Sequence, residues 1–142
     1  MAKSLSIDDL LATYPPDVQS LAAATRQFVK RVLPDIAETC DVSARLLVYS
    51  HGPGYRGMVA TMILSQSGVK LGLVGGAALP DPRGLLEGTG KVHRYVALRE
   101  AADLRRPGIS VLLKAASRQC RARLQAPAAP VKPAARATRV KR

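Results

Sequence analysis

The sequence predicts an α+β fold, a single small, mostly antiparallel sheet of about four strands packed against N-terminal and C-terminal helices. Three observations lead there. Helical periodicity occurs near both ends of the chain, short β-type runs fill the middle, and two of those runs are joined by a hairpin turn.

Ser6 followed by Asp9 has the form of a capping box, with Ile7, Leu10 and Leu11 on one face of a short helix. Pro15-Pro16 ends it, and Pro16 suits the first turn of the next. Val18, Leu21, Ala22, Thr25, Phe28, Val29 and Val32 then recur at helical spacing until Pro34, with Arg26, Gln27 and Lys30 assigned to the outer side. The period changes at Ala44–Ser50, Met58–Leu64 and Val69–Val74, which read as strands; Ser65-Gln66-Ser67-Gly68 makes the turn between the last two. Met58–Leu64 is apolar on both faces, as a central strand would be. A proline-rich connection follows, then one helical turn at Leu85-Leu86-Glu87 and a fourth strand at Val92–Arg99. Asp103 can cap the approach to a last helix, starting near Pro107, whose packed face carries Ile109, Leu112, Leu113, Ala116, Cys120 and Leu124. Residues 125–142 hold three prolines, no acid and no large apolar cluster, and are expected to be a disordered tail after a domain of residues 1–124.

Composition narrows the function classes. With 142 residues and 47% apolar side chains the chain can build one core. Aromatic residues are only 4%, too few for the stacking platforms of single-strand recognition. No apolar run is long enough to cross a membrane, and the opening MAKSLSIDDLL turns acidic where a secretory leader would be apolar. Cys40 and Cys120 have no metal or redox spacing and read as reduced, buried thiols of a cytoplasmic protein. The net charge of +12 divides in two: Lys132, Arg136, Arg139, Lys141 and Arg142 contribute five, leaving +7 on the first 124 residues. Those five could contact about five phosphates, a weak and sequence-independent attraction to nucleic acid.

GLLEGTGKVHRYV, residues 84–96, invites comparison with a phosphate-binding loop. Spacing, residue type and context all disagree. Thr89 stands where the second glycine belongs, Val92 replaces the metal-binding hydroxyl, and Lys91 leads into a strand instead of a helix. Gly88 and Gly90 then read as a tight loop with positive φ, surrounded by Glu87, Lys91, His93 and Arg94. A second segment, YSHGPGYRG, places Tyr49, His51, Tyr55 and Arg56 around three glycines. If the two segments met at one end of the sheet they would form a polar pocket for a small anionic or polar ligand. Lys91, Arg94 and Arg56 would neutralise charge there, and the histidines would donate hydrogen bonds. No nucleophile with an orienting base is legible, so a non-catalytic role is expected and no cofactor is implied. The densest acidic patch is Asp35, Glu38 and Asp41 beside Cys40. It reads as solvated charge at a helix–loop junction or, alternatively, as oxygen ligands for a hard cation. An uncovered edge strand would allow a dimer.

YSHGPGYRG followed by KLGLVGGAALPDPRGLLEGTGKVHRYVALREAADL resembles the YdhG-like domain family of small bacterial α+β proteins, over about Ser6 to Leu124. The resemblance implies helices packed on a small antiparallel sheet. Most members have no assigned activity, and one branch, similar to frataxin, implies an iron chaperone as an alternative function. This chain departs from the pattern where Val92, Tyr95 and Ala97 thin the basic strand, and its ten acids against 22 bases do not make the acidic surface that iron delivery uses.

Overall fold

Ser6 closes a capping box at the start of the first helix: its Oγ accepts from the Asp9 amide at 3.0 Å, and its own amide donates to Asp9 at 3.4 Å. The computed structural model describes residues 6–41 and 43–126. Helix α1 (Ile7–Leu11) leads through the two prolines into α2 (Pro16–Val32), which ends where Leu33 precedes Pro34. A five-stranded antiparallel sheet follows, β1 (Ala37–Asp41), β2 (Leu46–Ser50), β3 (Met58–Ser65), β4 (Gly68–Leu73) and β5 (Arg94–Leu98), in spatial order 1-2-3-4-5. Helix α3 (Ile109–Gln125) is the last described element. Each strand pairs with its sequence neighbour, so the whole sheet is a meander and β3 is its centre, as its two-sided apolar pattern predicts.

Both long helices lie on one face of this sheet. Leu47, Tyr49, Met62, Leu71, Val96 and Leu98 point to that face and are almost fully buried against Val29, Leu113 and Cys120. Burial of each such aliphatic side chain contributes about 1.5–3 kcal/mol. Among the described residues no helix covers the opposite face. Val48, Met58, Thr61, Ile63, Gly72 and Tyr95 lie there by the pleat alternation, and Ile63 is exposed.

Four sequence expectations change. The fifth strand, β1, lies where the acidic patch was read as a junction. Its five residues carry charge at both inward and outward positions, so no apolar alternation marks it, and pairing with β2 makes it a strand. Arg26 and Lys30 turn from the solvent side of α2 toward that strand. Leu85-Leu86-Glu87 is extended, with Glu87 exchanging backbone hydrogen bonds with Tyr95 at 2.7 and 3.1 Å. Asp103 caps a 3-10 turn (Ala101–Arg105) by accepting from the Arg99 and Glu100 amides, while α3 starts two residues beyond Pro107. Gln125 still belongs to α3, and the expected tail from residue 127 onward lies outside the described residues.

Candidate functional site on the open sheet face

The two glycine-rich segments meet. Between β2 and β3 the chain makes a tight loop whose ends are tied by the His51 amide donating to the Gly57 carbonyl at 2.8 Å. That loop projects Tyr55, which is 55% exposed, over the end of the sheet. His93, just before β5, comes up beside it: Tyr55 Oη and His93 Nε2 are 2.9 Å apart, and the rings meet edge to face at 5.8 Å.

The other imidazole nitrogen decides the direction of this contact. The Gly75 amide donates to His93 Nδ1 at 3.1 Å, so Nδ1 is an acceptor and the neutral ring carries its proton on Nε2. Nε2–H then donates to Tyr55 Oη, which leaves the phenolic proton free to donate elsewhere. A backbone amide, an imidazole and a phenol thus form one polarised relay ending in an exposed donor.

Beneath the pair a cavity of about 270 Å³ opens on the helix-free face, walled by Met58, Ile63 and Tyr95 and floored by Thr61 and Gly72. Gly72 lies opposite Tyr95 in register, so the missing side chain on β4 is what leaves the space. Lys70 Nζ sits 4.6 Å from the Tyr95 ring centroid, a cation–π contact that holds the far wall. Arg94 reaches the cavity edge while its Nε donates to the Gly90 carbonyl at 2.7 Å. On the other side of Tyr55 a second recess of about 390 Å³ is lined by Gly75, Lys91, Val92, Gln119 and Arg123. There Gln119 Oε1 is buried with no hydrogen-bond partner.

Tyr55, Lys91, His93 and Arg94, among the residues expected from the sequence, therefore converge at one end of the sheet. The others serve elsewhere. Tyr49 is fully buried on the helix-covered face, because it is two residues from Leu47 on the same strand and shares its orientation. His51 also faces the helices, with Nε2 2.7 Å from Ser117 Oγ. Burial, reinforced by Arg121 and opposed by Asp35, holds its pKa below the ordinary value. Ser117 is buried in the middle of α3, where a substrate carbonyl has no approach. Arg56 donates to the Arg123 and Ala126 carbonyls at the end of α3, and Arg123 returns bonds to the Arg56 and Met58 carbonyls. This reciprocal clamp satisfies helix-terminal carbonyls and carries no free charge into the cavity. Glu87 contributes its backbone bridge. Gly88 has φ +108° and packs on Tyr95, as a turn glycine, whereas Gly90 has no positive φ.

The acidic trio disperses. Asp35 is exposed, 3.8 Å from Arg121; Asp41 accepts from Ser43 and the Ala44 amide in the β1–β2 turn; Glu38 is buried under Arg26, Lys30 and Tyr49. Among the described residues no group of three His, Cys, Asp or Glu is placed to hold a metal ion. Sequence reasoning missed Thr61, Gly72, Tyr95 and Gln119. The first three become neighbours only through strand register, and Gln119 reaches the recess from α3.

Fold and site together define a small α+β protein with one helix-covered sheet face and one open, cleft-bearing face. No family model, no curated protein and no solved structure matches the chain. Among the described residues no helix is long and apolar enough to cross a membrane.

Proposed function

We propose that this is a YdhG-like, non-catalytic binding module of the cytoplasm that holds a small ligand with an apolar body and an anionic or polar, hydrogen-bond-accepting end. The observation that carries this reading is the relay from the Gly75 amide through His93 to Tyr55, which aims a donor over a mainly apolar cavity. An acceptor on the ligand takes the Tyr55 hydroxyl proton, and its hydrocarbon or ring lies on Gly72 between Ile63 and Tyr95. Lys91, at the adjoining recess, supplies the counter-charge. Few convergent polar groups above apolar walls are the usual make-up of small-molecule sites. Cys40 and Cys120 are both free thiols, in keeping with a reducing compartment.

The test is an NMR titration of the full chain with a panel of aryl and alkyl carboxylates and phosphates. Saturable shifts at Tyr55, Gly72, His93 and Tyr95, lost in Tyr55→Ala, are expected. Shifts spread over the surface without saturation, or undiminished in that variant, would overturn the reading.

A further inference from the structure

Half of the chain's 22 cations lie after Asp103, the last acid in the sequence. The described part of that stretch is dominated by α3, which carries Lys114, Arg118, Arg121 and Arg123 and no acid in 17 residues. Its apolar face, Ile109, Leu112, Leu113, Ala116 and Cys120, is sealed in the core. Arg123 turns to the Arg56 clamp. Lys114, Arg118 and Arg121 are left on the solvent side, three and four residues apart and so in one row along the helix. Among the described residues the row makes one ion pair, Arg121 with exposed Asp35 at 3.8 Å. Exposed Arg105 adds charge near the start of the helix.

From this row we propose a second function, sequence-independent binding of duplex nucleic acid, in which the solvent face of α3 lies along the phosphate backbone. At 1.5 Å rise per residue the three cations span roughly 10 Å, a ladder of like charges suited to a regularly charged polymer. A lipid surface fits less well. An interfacial helix must insert its apolar face, and the apolar face of α3 is occupied by the sheet and α2; Val111 alone is a large apolar side chain exposed on the outside. No aromatic side chain lies on α3 to stack bases, so binding rests on phosphates alone. The five cations that follow in sequence continue the acid-free stretch and add to the same attraction. This surface involves none of the residues of the open-face cavity, so the two proposals stand or fall separately.

The experiment measures binding of the full chain to a fluorescently labelled 20-base-pair duplex by anisotropy between 50 and 200 mM salt, for the parent and for the variant K114Q/R118Q/R121Q. All three positions are exposed, and Gln is as good a helix former as Lys or Arg, so the thermal midpoint should be unchanged. Three lost phosphate contacts should reduce the salt slope by about 2.7 and the affinity at 50 mM salt by at least about tenfold. An unchanged slope and affinity in the variant, no binding by the parent at 50 mM salt, or tighter binding to phosphatidylglycerol vesicles than to the duplex would each overturn the proposal.

Discussion

Tyr49 Oη donates a 2.7 Å hydrogen bond to Glu38 Oε2 across directly opposed positions of β2 and β1, under the cover of α2. Arg26 adds a two-pronged contact at 2.9 and 3.0 Å, and Lys30 a third at 2.9 Å. The Glu38 side chain is only 7% exposed, yet its charge is met on every side. Desolvation would raise the carboxyl pKa, but hydrogen bonds from Arg26, Tyr49 and Lys30 outweigh it and bring it from 4.5 down to about 2. The Tyr49 hydroxyl is held far above its ordinary pKa, first by burial and then by the neighbouring carboxylate. This network is what fastens edge strand β1 to α2.

Glu38→Gln is therefore expected to cost about 2–3 kcal/mol, because it leaves two cations facing a neutral amide. Arg26 and Lys30 keep some contact with water, which holds the loss toward the low end. Tyr49→Phe removes one charge-assisted bond and should cost about 1–2 kcal/mol. Urea unfolding of the two variants checks the order; an equal or larger loss in Tyr49→Phe would contradict the assignment of Glu38 as the hub.

The same network sets an acid limit. A carboxyl whose folded pKa lies below its unfolded value stabilises the fold fully above the unfolded value, and the contribution disappears as pH falls through the folded one. For Glu38 that window runs from 4.5 down to about 2. His51, also shifted down, favours the fold in its neutral form, so its contribution begins to fall below pH 6.5. Thermal melts should show a shallow loss of stability starting near 6.5 and a steeper one below 4.5. Glu38→Gln should flatten the steeper limb and leave the shallow one.

The loop that carries Tyr55 offers a third test. At Gly57 a Cβ would collide with the Gly52 backbone, including its Cα at 2.7 Å, and backbone cannot swing aside. Gly54 has open space around it but φ +72° and ψ −176°, a region nearly restricted to glycine. Gly57→Ala is expected to cost about 3 kcal/mol or more by overpacking, and Gly54→Ala about 1 kcal/mol through backbone strain. Denaturant midpoints measure both. If Gly57→Ala were the milder change, the close approach that shapes this loop would be disproved.

Periodicity alone was enough to read the two long helices, the β3–β4 hairpin and the central position of β3, because those signals are local: apolar spacing, proline punctuation and turn residues act within a few residues of themselves. Even Cys120 is assigned to the packed face of α3 correctly by spacing. AETCD was unreadable as a strand, since Glu38 looks like surface charge until Arg26, Lys30 and Tyr49 arrive from α2 and β2. YSHGPGYRG and GTGKVHRYV could be recognised as unusual, but not sorted. Tyr49 and His51 turn inward and Tyr55 outward because strand pleat and a β-bulge at Tyr49/Ser50 set their directions. Pairing of β4 with β5 then puts Gly72 opposite Tyr95 and brings the Gly75 amide to His93. Such juxtapositions depend on register between segments some twenty to forty residues apart, and register is a property of the assembled sheet. Composition and local pattern determined which elements this chain makes; the packing of those elements determined that Tyr55 and His93 share a cavity while Tyr49 and Glu38 share the core.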